Sequence, residues 1–228
     1  MNRRIKKVAV LGSGIMGAGI ACHFANIGVE VLLLDLVPKE PHDLDQKKGL
    51  DTTHPAVRNR IVTTNLTAAI KSKPATLYHP SFKDRIQTGN FEDDISKLAG
   101  VDWIIEVVVE RLDIKKIVFE QVEQHRTPGT LVSSNTSGIP IKFMNEGRSK
   151  DFQEHFTVTH FFNPPRYLKL FEVVPGPNCK PEVVDFLMDY GTRFLGKSAV
   201  LAKDTPAFIG NRIGIFCIQS LFHQMKPM

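Results

Sequence analysis

The sequence has little cysteine, and its three cysteines are far apart. Cys22, Cys179 and Cys217 form no C-x-x-C pair, so they predict neither a disulfide framework nor a metal site. No apolar run approaches the roughly 20 residues that a membrane-spanning helix needs. The apolar stretch behind the basic N-terminus is short and runs into a glycine turn, unlike a signal peptide. We therefore expect a cytoplasmic protein with no membrane partner.

Extremes of composition, internal repeats and low-complexity segments are also missing. The chain is 42% hydrophobic and 23% charged, as is usual for a globular protein. Its net charge of +5 suits phosphate-bearing small molecules at least as well as nucleic acid. No motif of combined aromatic and basic residues accompanies that charge, so we expect no nucleic-acid partner. The length of 228 residues fits one large α/β domain, or one domain with a fragment of another.

What the sequence does contain is an alternation of apolar strands and helices. Residues 6–11 and 29–36 have the pattern of buried strands, and a glycine turn and an apolar helix lie between them. Their apolar residues are continuous, which is typical of parallel strands covered on both faces. Further strands are predicted within 101–110, 130–135, 156–162, 168–174 and 197–204, and helices within 112–126 and 182–196. The predicted fold class is a Rossmann-like, doubly wound, mostly parallel α/β sheet.

Two segments interrupt this alternation. Residues 38–88 hold nine Lys/Arg and five Asp/Glu, and we interpret them as a basic insertion or arm in which residues 56–73 have a helical pattern; a solvated basic surface is the alternative. The segment after residue 203 predicts a helix with Pro206 in its first turn and apolar residues around most of its circumference. Such a helix needs partners. We expect residues 1–202 to form one domain and residues 203–228 to begin a truncated helical one; packing against a second copy is the alternative.

A glycine-rich turn directly follows the first predicted strand and opens the first helix. In this turn Gly12 permits the tight bend, Gly14 lets the backbone approach a pyrophosphate, and Gly17 allows the helix to pack closely on the strand. The helix N-terminus adds free N–H groups and a positive dipole end. Asp35, at the end of the second strand, suits ribose hydroxyls and would repel a 2′-phosphate. The pattern predicts NAD rather than NADP as cofactor, against the alternative of a glycine turn without a nucleotide.

A histidine stands in the apolar run VTHFFNPP, residues 158–165. Strand alternation places His160 on one face with Phe156 and Val158. Glu172 lies in the following predicted strand, and a carboxylate among apolar neighbours needs a partner. Bonded to one ring nitrogen, Glu172 would orient the imidazole, favour its charged form and leave the other nitrogen free as a general base. The alternatives are a core histidine with one hydrogen bond and a glutamate that reaches solvent at a sheet edge.

Two polar segments add hydrogen-bonding groups near the predicted strand ends. Residues 135–137, NTS, follow the strand predicted within 130–135, and Asn211 lies in the segment DTPAFIGNR. Ligands of open α/β sheets bind outside the carboxyl ends of the strands, where the turn at 135–137 and the end of the His160 strand are expected to meet. Asn and Ser are also ordinary turn and capping residues.

Five stretches between residues 8 and 212 stand in a characteristic order: VAVLGSGIMGAGIA, DWIIEVVVERLDIKK, SSNTSGIPI, HFFNPP followed by LKLFEVV, and KDTPAFIGNR. Together they resemble the NAD-binding half of the 3-hydroxyacyl-CoA dehydrogenase family. The resemblance implies that His160 is the catalytic base and that Glu172 orients it. It also implies that Ser137 and Asn211 hydrogen-bond the reacting oxygen. The cofactor-binding residues that we expect are Gly12, Gly14, Ile15, Met16, Gly17, Asp35, Glu110, Lys115 and Asn163.

The resemblance also implies an activity and partners. The implied reaction is NAD-dependent oxidation of a (3S)-3-hydroxyacyl-CoA to a 3-ketoacyl-CoA, in fatty acid β-oxidation or 3-hydroxybutyryl-CoA metabolism. The implied assembly is a homodimer formed through the missing helical domain, or a larger multifunctional polypeptide. Residues 38–88 do not align convincingly with the family's helical arm, so we assign no residue that contacts coenzyme A.

Two other functions are left open by the sequence. One is another NAD-dependent hydroxyacid dehydrogenase, such as a 6-phosphogluconate-type enzyme, which shares the first βαβ unit. HFFNPP followed by FEVV argues against it, since those enzymes normally use a catalytic lysine. The other is an NAD-binding module without catalysis, within a larger β-oxidation protein.

Overall fold

Eight strands form a single sheet with the order β3-β2-β1-β4-β5-β6-β7-β8. The computed structural model describes residues 3–225. Residues 1–2 of the first predicted domain and residues 226–228 of the second lie outside the described range. All neighbouring strands are parallel except β6 and β7, which confirms the predicted doubly wound, mostly parallel α/β fold. The strands are β1 (Lys7–Leu11), β2 (Glu30–Asp35), β3 (Ile86–Asn90), β4 (Trp103–Glu106), β5 (Leu131–Ser134), β6 (Phe156–Phe161), β7 (Leu170–Pro175) and β8 (Ser198–Leu201).

Helices cover both faces of this sheet. They are α1 (Ile15–Asn26), α2 (Asp43–Gln46), α3 (Pro55–Arg58), α4 (Arg60–Lys71), α5 (Leu112–His125), α6 (Ile141–Asn145), α7 (Lys150–Glu154), α8 (Pro181–Arg193) and α9 (Gly210–Gln224). Two 3₁₀ turns lie at Pro80–Arg85 and Ile95–Gly100. Between residues 3 and 225, no helix combines the length and apolar character needed to cross a membrane.

The apolar core has two layers, one on each face of the sheet. Along β1, Val8 and Val10 belong to one layer, while Ala9 and Leu11 belong to the other. Since successive side chains of a strand point to opposite faces, a strand covered on both sides is apolar at every position. The apolar strands of the sequence are therefore continuous because both of their faces are buried, as predicted.

The order of the strands places a binding edge at their carboxyl ends. The chain leaves the sheet in opposite directions from the neighbouring strands β1 and β4, which opens a crevice at their carboxyl ends. The loops that follow β1, β4 and β5 all start at this edge. The turn between β6 and its antiparallel neighbour β7 lies at the same edge. The expected site residues are concentrated in these connections.

The segment 38–88 contains a strand that the sequence pattern misses. Residues 86–90 form β3, an edge strand that pairs only with β2, so the predicted arm ends inside it. Its sequence IQTGN has one large apolar residue, since an edge strand needs less apolar surface than a central one. The helical pattern over 56–73 is confirmed by α3 and α4.

The predicted start of the last helix is wrong. The helix α9 begins at Gly210, so Pro206 lies in the turn before it. Ala207 and Phe208 adopt the left-handed conformation, with φ of 63° and 48°. The Phe208 ring is buried, with 2% exposure, and the left-handed backbone at these two positions separates Pro206 from the helix. Along α9 the large apolar side chains are exposed, among them Ile213, Phe216, Leu221 and Phe222.

A buried histidine on α1 predicts acid sensitivity of the fold. His23 is 2% exposed, its Nε2 lies 3.0 Å from the Leu195 carbonyl, and no described residue bonds its Nδ1. Burial and the nearby Lys197 lower the pKa of His23 from 6.5 to about 4. Between these values only the unfolded chain binds the proton, so stability is lost as the pH falls. We expect His23 to account for a loss of about 2 kcal/mol between pH 7 and pH 5.

Urea unfolding at the two pH values tests this expectation. The variant His23→Gln keeps a donor for the Leu195 carbonyl but cannot titrate, so it should lose about 2 kcal/mol less than the wild type on acidification. The exposed His223 on α9 provides the control, and His223→Gln should follow the wild type. Equal acid sensitivity of the wild type and His23→Gln would contradict the assignment.

Candidate active site

The glycine turn between β1 and α1 has the geometry of a phosphate cradle. Gly12 has a φ of +100°, and a Cβ there would lie 2.7 Å from the Val107 carbonyl oxygen. A Cβ on Gly17 would collide with the Gly12 carbonyl oxygen, whereas one on Gly14 would meet nothing within 4 Å. Gly14 caps α1 without a side-chain hydrogen bond, and Ser13, Gly14 and Ile15 line an open cleft. Such a helix N-terminus fits a pyrophosphate.

Asp35 stands beside this turn at the carboxyl end of β2. Its Oδ2 accepts hydrogen bonds from the Ser13 backbone N–H (2.6 Å) and from the Ser13 hydroxyl, and Oδ1 accepts from the Leu36 N–H at 2.7 Å. Asn65 of α4 donates to the Ser13 hydroxyl at 3.0 Å. Of the other two predicted residues in the turn, Ile15 is 80% exposed and Met16 packs against the core. The half-buried Asp35 carboxylate therefore lies directly beside the glycine turn.

His160 and Glu172 are direct neighbours in the antiparallel pair of β6 and β7. The His160 Nδ1 lies 2.7 Å from Glu172 Oε2, and the two residues are 3% and 0% exposed. The His160 Nε2 lies 3.2 Å from the Ser137 hydroxyl. The rings of Phe162 and Phe208 lie 4.4 and 5.7 Å from the imidazole, centroid to centroid. The imidazole is thus fixed by a carboxylate on one nitrogen, and its other nitrogen meets a hydroxyl at the edge of the site.

Glu172 has a second contact that the sequence does not reveal. Its Oε1 accepts the backbone N–H groups of Ile209 (3.0 Å) and Gly210 (2.7 Å). These groups begin α9, and a carboxylate is favourable at a helix N-terminus. The same carboxylate therefore holds the imidazole and the helix that carries Asn211. A cavity of about 430 Å³ lies at this junction, lined by Ser137, Ala207, Gly210, Asn211, Gly214, Ile215 and Ile218.

Glu110 and Lys115 lie behind the Ser137 turn. Glu110 Oε1 accepts the Ser137 N–H at 3.0 Å and the Thr136 hydroxyl. The Lys115 ammonium lies 3.3 Å from Glu110 Oε2 and 2.7 Å from Glu106 Oε1. Lys115 is only 1% exposed, so it faces these two carboxylates rather than the open cleft. Glu106 was not among the predicted site residues, although a glutamate inside the buried strand segment WIIE is itself a signal that an internal cation is near.

The pKa values of the two carboxylates shift in opposite directions. Burial raises the pKa of Glu106 and outweighs the lowering by Lys115 and Ser134. Burial also raises the pKa of Glu110, but the Thr136 hydroxyl and Lys115 together lower it below its ordinary value. Glu110 therefore remains a carboxylate that can hold the turn over the whole neutral range.

Asn163 lies in the turn between β6 and β7 and lines a second cavity. This cleft of about 400 Å³ runs between the glycine turn, α4, residues 72–76 and residues 163–165. Arg166 donates to the carbonyls of Ala75 and Leu77 at 2.6 and 2.9 Å, and the Tyr167 hydroxyl donates to Ala75 at 2.8 Å. These contacts fix the segment after α4 on the β6–β7 turn. That part of the arm is therefore a wall of the cleft rather than a solvated surface.

Comparison with known proteins assigns this architecture. Residues 7–205 match the model of the 3-hydroxyacyl-CoA dehydrogenase NAD-binding domain. The chain belongs to the 3-hydroxyacyl-CoA dehydrogenase family. The match includes residues 38–88, for which the sequence pattern showed no convincing alignment with the family's arm. The matched region is the family's NAD-binding domain, and the glycine turn lies at its start.

Three of its relatives show how far the similarity extends. A probable 3-hydroxyacyl-CoA dehydrogenase of Bacillus subtilis is 51% identical over 95% of this chain and 27% of its own length. A putative fatty acid oxidation complex trifunctional enzyme of Rickettsia felis is 37% identical over 96% of this chain and 28% of its own length. The (S)-3-hydroxybutyryl-CoA dehydrogenase of Ralstonia eutropha has a TM-score of 0.72 at 26% identity, covering 96% of this chain and 71% of its own. The chain thus spans about a quarter of the first two proteins.

No group of three or more His, Cys, Asp or Glu side chains in residues 3–225 is arranged to hold a metal ion. The three cysteines carry free thiols. Among the side chains behind the Ser137 turn, Lys115 supplies a positive charge.

Proposed function

We propose that the chain catalyses NAD-dependent oxidation of a (3S)-3-hydroxyacyl-CoA to a 3-ketoacyl-CoA, with His160 as general base. The observation that carries this proposal is the His160 imidazole, held at Nδ1 by Glu172 and facing the Ser137 hydroxyl at Nε2. A carboxylate only accepts hydrogen bonds, so Nδ1 donates and the lone pair lies on Nε2. Ser137, which that nitrogen faces, lines the same cavity as Asn211.

The proposed residues divide the charge that the reaction develops. His160 Nε2 takes the proton of the substrate 3-hydroxyl, and Glu172 stabilises the resulting imidazolium. The Ser137 hydroxyl and the Asn211 amide meet the partial negative charge on the reacting oxygen. The chemistry that NAD supplies when bound is acceptance of the hydride from C3 of the substrate. By microscopic reversibility, the same residues serve the reduction of the 3-ketoacyl-CoA.

The cofactor is proposed to lie across the carboxyl ends of β1, β2 and β4. The turn from Gly12 to Gly17 would hold its pyrophosphate and Asp35 its adenosine ribose. Glu110 contacts the Ser137 turn, and Asn163 lies in the β6–β7 turn. Both would border the nicotinamide end of the cofactor. Lys115 would act there through Glu110, because its ammonium is enclosed.

The substrate is proposed to be an acyl-CoA whose coenzyme A part lies against α4 and residues 72–76, the arm side of the 400 Å³ cleft, beside the glycine turn that would hold NAD. Lys73 offers a cation to its phosphates, and Asn65 and Ser72 offer hydrogen-bonding groups on the same wall. The exposed apolar side of α9 is proposed to be covered in the working enzyme, either in a homodimer or by further parts of a larger polypeptide.

The rise of NADH absorbance with NAD and 3-hydroxybutyryl-CoA tests the proposed function. It should be measured for this chain and for a version extended by a C-terminal helical domain, with longer acyl chains as alternative substrates. Turnover in either form supports the proposal. A protein that binds NAD but produces no NADH with any acyl length would favour the non-catalytic module, and turnover of small hydroxyacids instead of thioesters would favour another dehydrogenase class.

Asp35 is expected to determine the choice between NAD and NADP. In Asp35→Ala we expect NAD to bind about tenfold more weakly, because the ribose loses charge-assisted hydrogen bonds. NADP should bind no more weakly than before, since its 2′-phosphate no longer meets a carboxylate. Fluorescence titration with NADH and NADPH measures both affinities. The exposed Asp189 of α8, which pairs with Arg193, gives the control Asp189→Ala. If the ratio of the NADH and NADPH affinities is unchanged in Asp35→Ala, Asp35 does not contact the ribose.

A further inference from the structure

A continuous series of polar contacts connects the interior of the sheet with the imidazole. It starts at Glu106, whose Oε1 lies 2.7 Å from the Lys115 ammonium. It continues from Lys115 to Glu110 (3.3 Å), from Glu110 to the Ser137 N–H (3.0 Å), and from the Ser137 hydroxyl to His160 (3.2 Å). Glu106 is the fully buried end of the series.

We propose that Glu106 is a positioning residue for the reaction, which acts through Lys115 and Glu110 on the turn that presents Ser137 to His160. The inference rests on the proposed function, because it assigns the turn its role in catalysis. It adds a residue that touches neither substrate nor cofactor.

The contacts of Glu106 make it the fixed end of this series. Its carboxylate is fully buried at the end of β4 and binds three donors: the Lys115 ammonium, the Val108 N–H at 2.7 Å and the Ser134 hydroxyl at 2.5 Å. Val108 lies in the loop after β4, and Ser134 ends β5. One carboxylate therefore joins the ends of two neighbouring strands to α5, the helix that carries Lys115.

The position of Glu110 depends on this anchor. Glu110 is exposed and lies in the loop after β4, and among the described residues its carboxylate contacts Lys115, Thr136 and Ser137. A buried ammonium needs a carboxylate partner. Without the charge of Glu106, Lys115 is balanced by Glu110 alone. Glu110 would then be drawn towards the ammonium and away from the Ser137 N–H.

The variant Glu106→Gln removes the charge and retains the shape of the side chain. Without substrate or cofactor, we expect the Ser137 amide to exchange its hydrogen about tenfold faster or more, because its bond to a carboxylate is weakened. Amides of the central strands, such as that of Ile104, should exchange as before. This measurement by hydrogen exchange does not depend on turnover.

The catalytic consequence is tested by a double-mutant cycle. Glu106→Gln should lower kcat by about 10- to 100-fold, because the Ser137 hydroxyl is misplaced relative to His160. In the background of Ser137→Ala the same change should cost no more than about threefold, because its target is already absent. Additive effects of the two changes, or unchanged exchange at Ser137, would overturn the proposal.

A matched control separates this effect from general loss of an ion pair. Asp151→Asn removes the carboxylate partner of Arg126, whose side chain is 4% exposed, at the other end of β5. This variant should lose stability without a change in kcat or in exchange at Ser137. If Glu106→Gln does not fold, Glu106→Asp, which keeps the charge but shortens its reach to Lys115, is measured in its place with the same readouts.

The outcomes also distinguish this proposal from the proposed function. If the wild-type protein has no dehydrogenase activity with any substrate, the proposed function fails, and faster exchange at Ser137 still establishes that Glu106 positions the turn. If the wild type is active and the exchange changes while kcat does not, the catalytic role of Glu106 is wrong and the proposed function stands.

Discussion

His160→Gln is expected to lower kcat by about 10³-fold or more while changing the affinity for NADH by less than about threefold. The reason is a separation of roles within the fold. The imidazole is the candidate base at the β6–β7 pair, whereas the proposed dinucleotide contacts start at the glycine turn and at the end of β2. Glutamine has similar bulk and hydrogen-bonding groups, but it cannot take up a proton at neutral pH. Turnover is followed by NADH absorbance and affinity by NADH fluorescence.

The buried His155 provides the matched control for this change. Its ring is 5% exposed and lies before β6, at the opposite end of the strand from the candidate site. His155→Gln should keep kcat within about twofold of the wild type, with whatever loss of stability burial of the new amide causes. Retained turnover in His160→Gln would exclude the imidazole as base. A parallel loss of NADH affinity would instead show that His160 holds the cofactor.

Glu172→Gln is expected to be nearly as severe, with kcat lowered by about 10²- to 10⁴-fold. The side-chain carbonyl oxygen of the introduced glutamine can still accept the N–H groups of Ile209 and Gly210, as Glu172 Oε1 does in the wild type. The amide nitrogen then faces His160 Nδ1 and donates to it. This contact favours the tautomer with its proton on Nε2, which removes the lone pair that would accept the substrate proton.

Nitrogen NMR of the imidazole shows directly which ring nitrogen carries the proton in each protein. In the neutral imidazole of the wild type the proton should be on Nδ1, and in that of Glu172→Gln it should be on Nε2. Thermal unfolding serves as the control. The retained hydrogen bonds to the start of α9 should keep the unfolding temperature of Glu172→Gln within a few degrees of that of the wild type. An unchanged tautomer, or a kcat within about threefold of the wild type, would contradict the orienting role of Glu172.

The sequence by itself determined the fold class and most of the candidate residues. Continuous apolar strands such as VLLLD can be buried on both faces only in a parallel sheet covered by helices, and the glycine spacing from Gly12 to Gly17 requires a strand, a turn and a helix in that order. The pairing of His160 with Glu172 was also predictable, because a glutamate in an apolar strand must find a partner. These features follow from local periodicity and from the cost of burying charge, which are both readable along the chain.

Only the tertiary structure decided the features that depend on distant segments. The edge strand β3 has too few apolar residues to be recognised alone, and it forms because β2 offers a free edge. The last helix starts at Gly210 rather than near Pro206 because Phe208 is buried against the imidazole and Glu172 binds the first N–H groups of α9. The role of Glu106 depends on Lys115, nine residues away, whose ammonium contacts the carboxylates of both Glu106 and Glu110. Such contacts are set by how strands and loops meet in space, and no periodicity in the sequence encodes them.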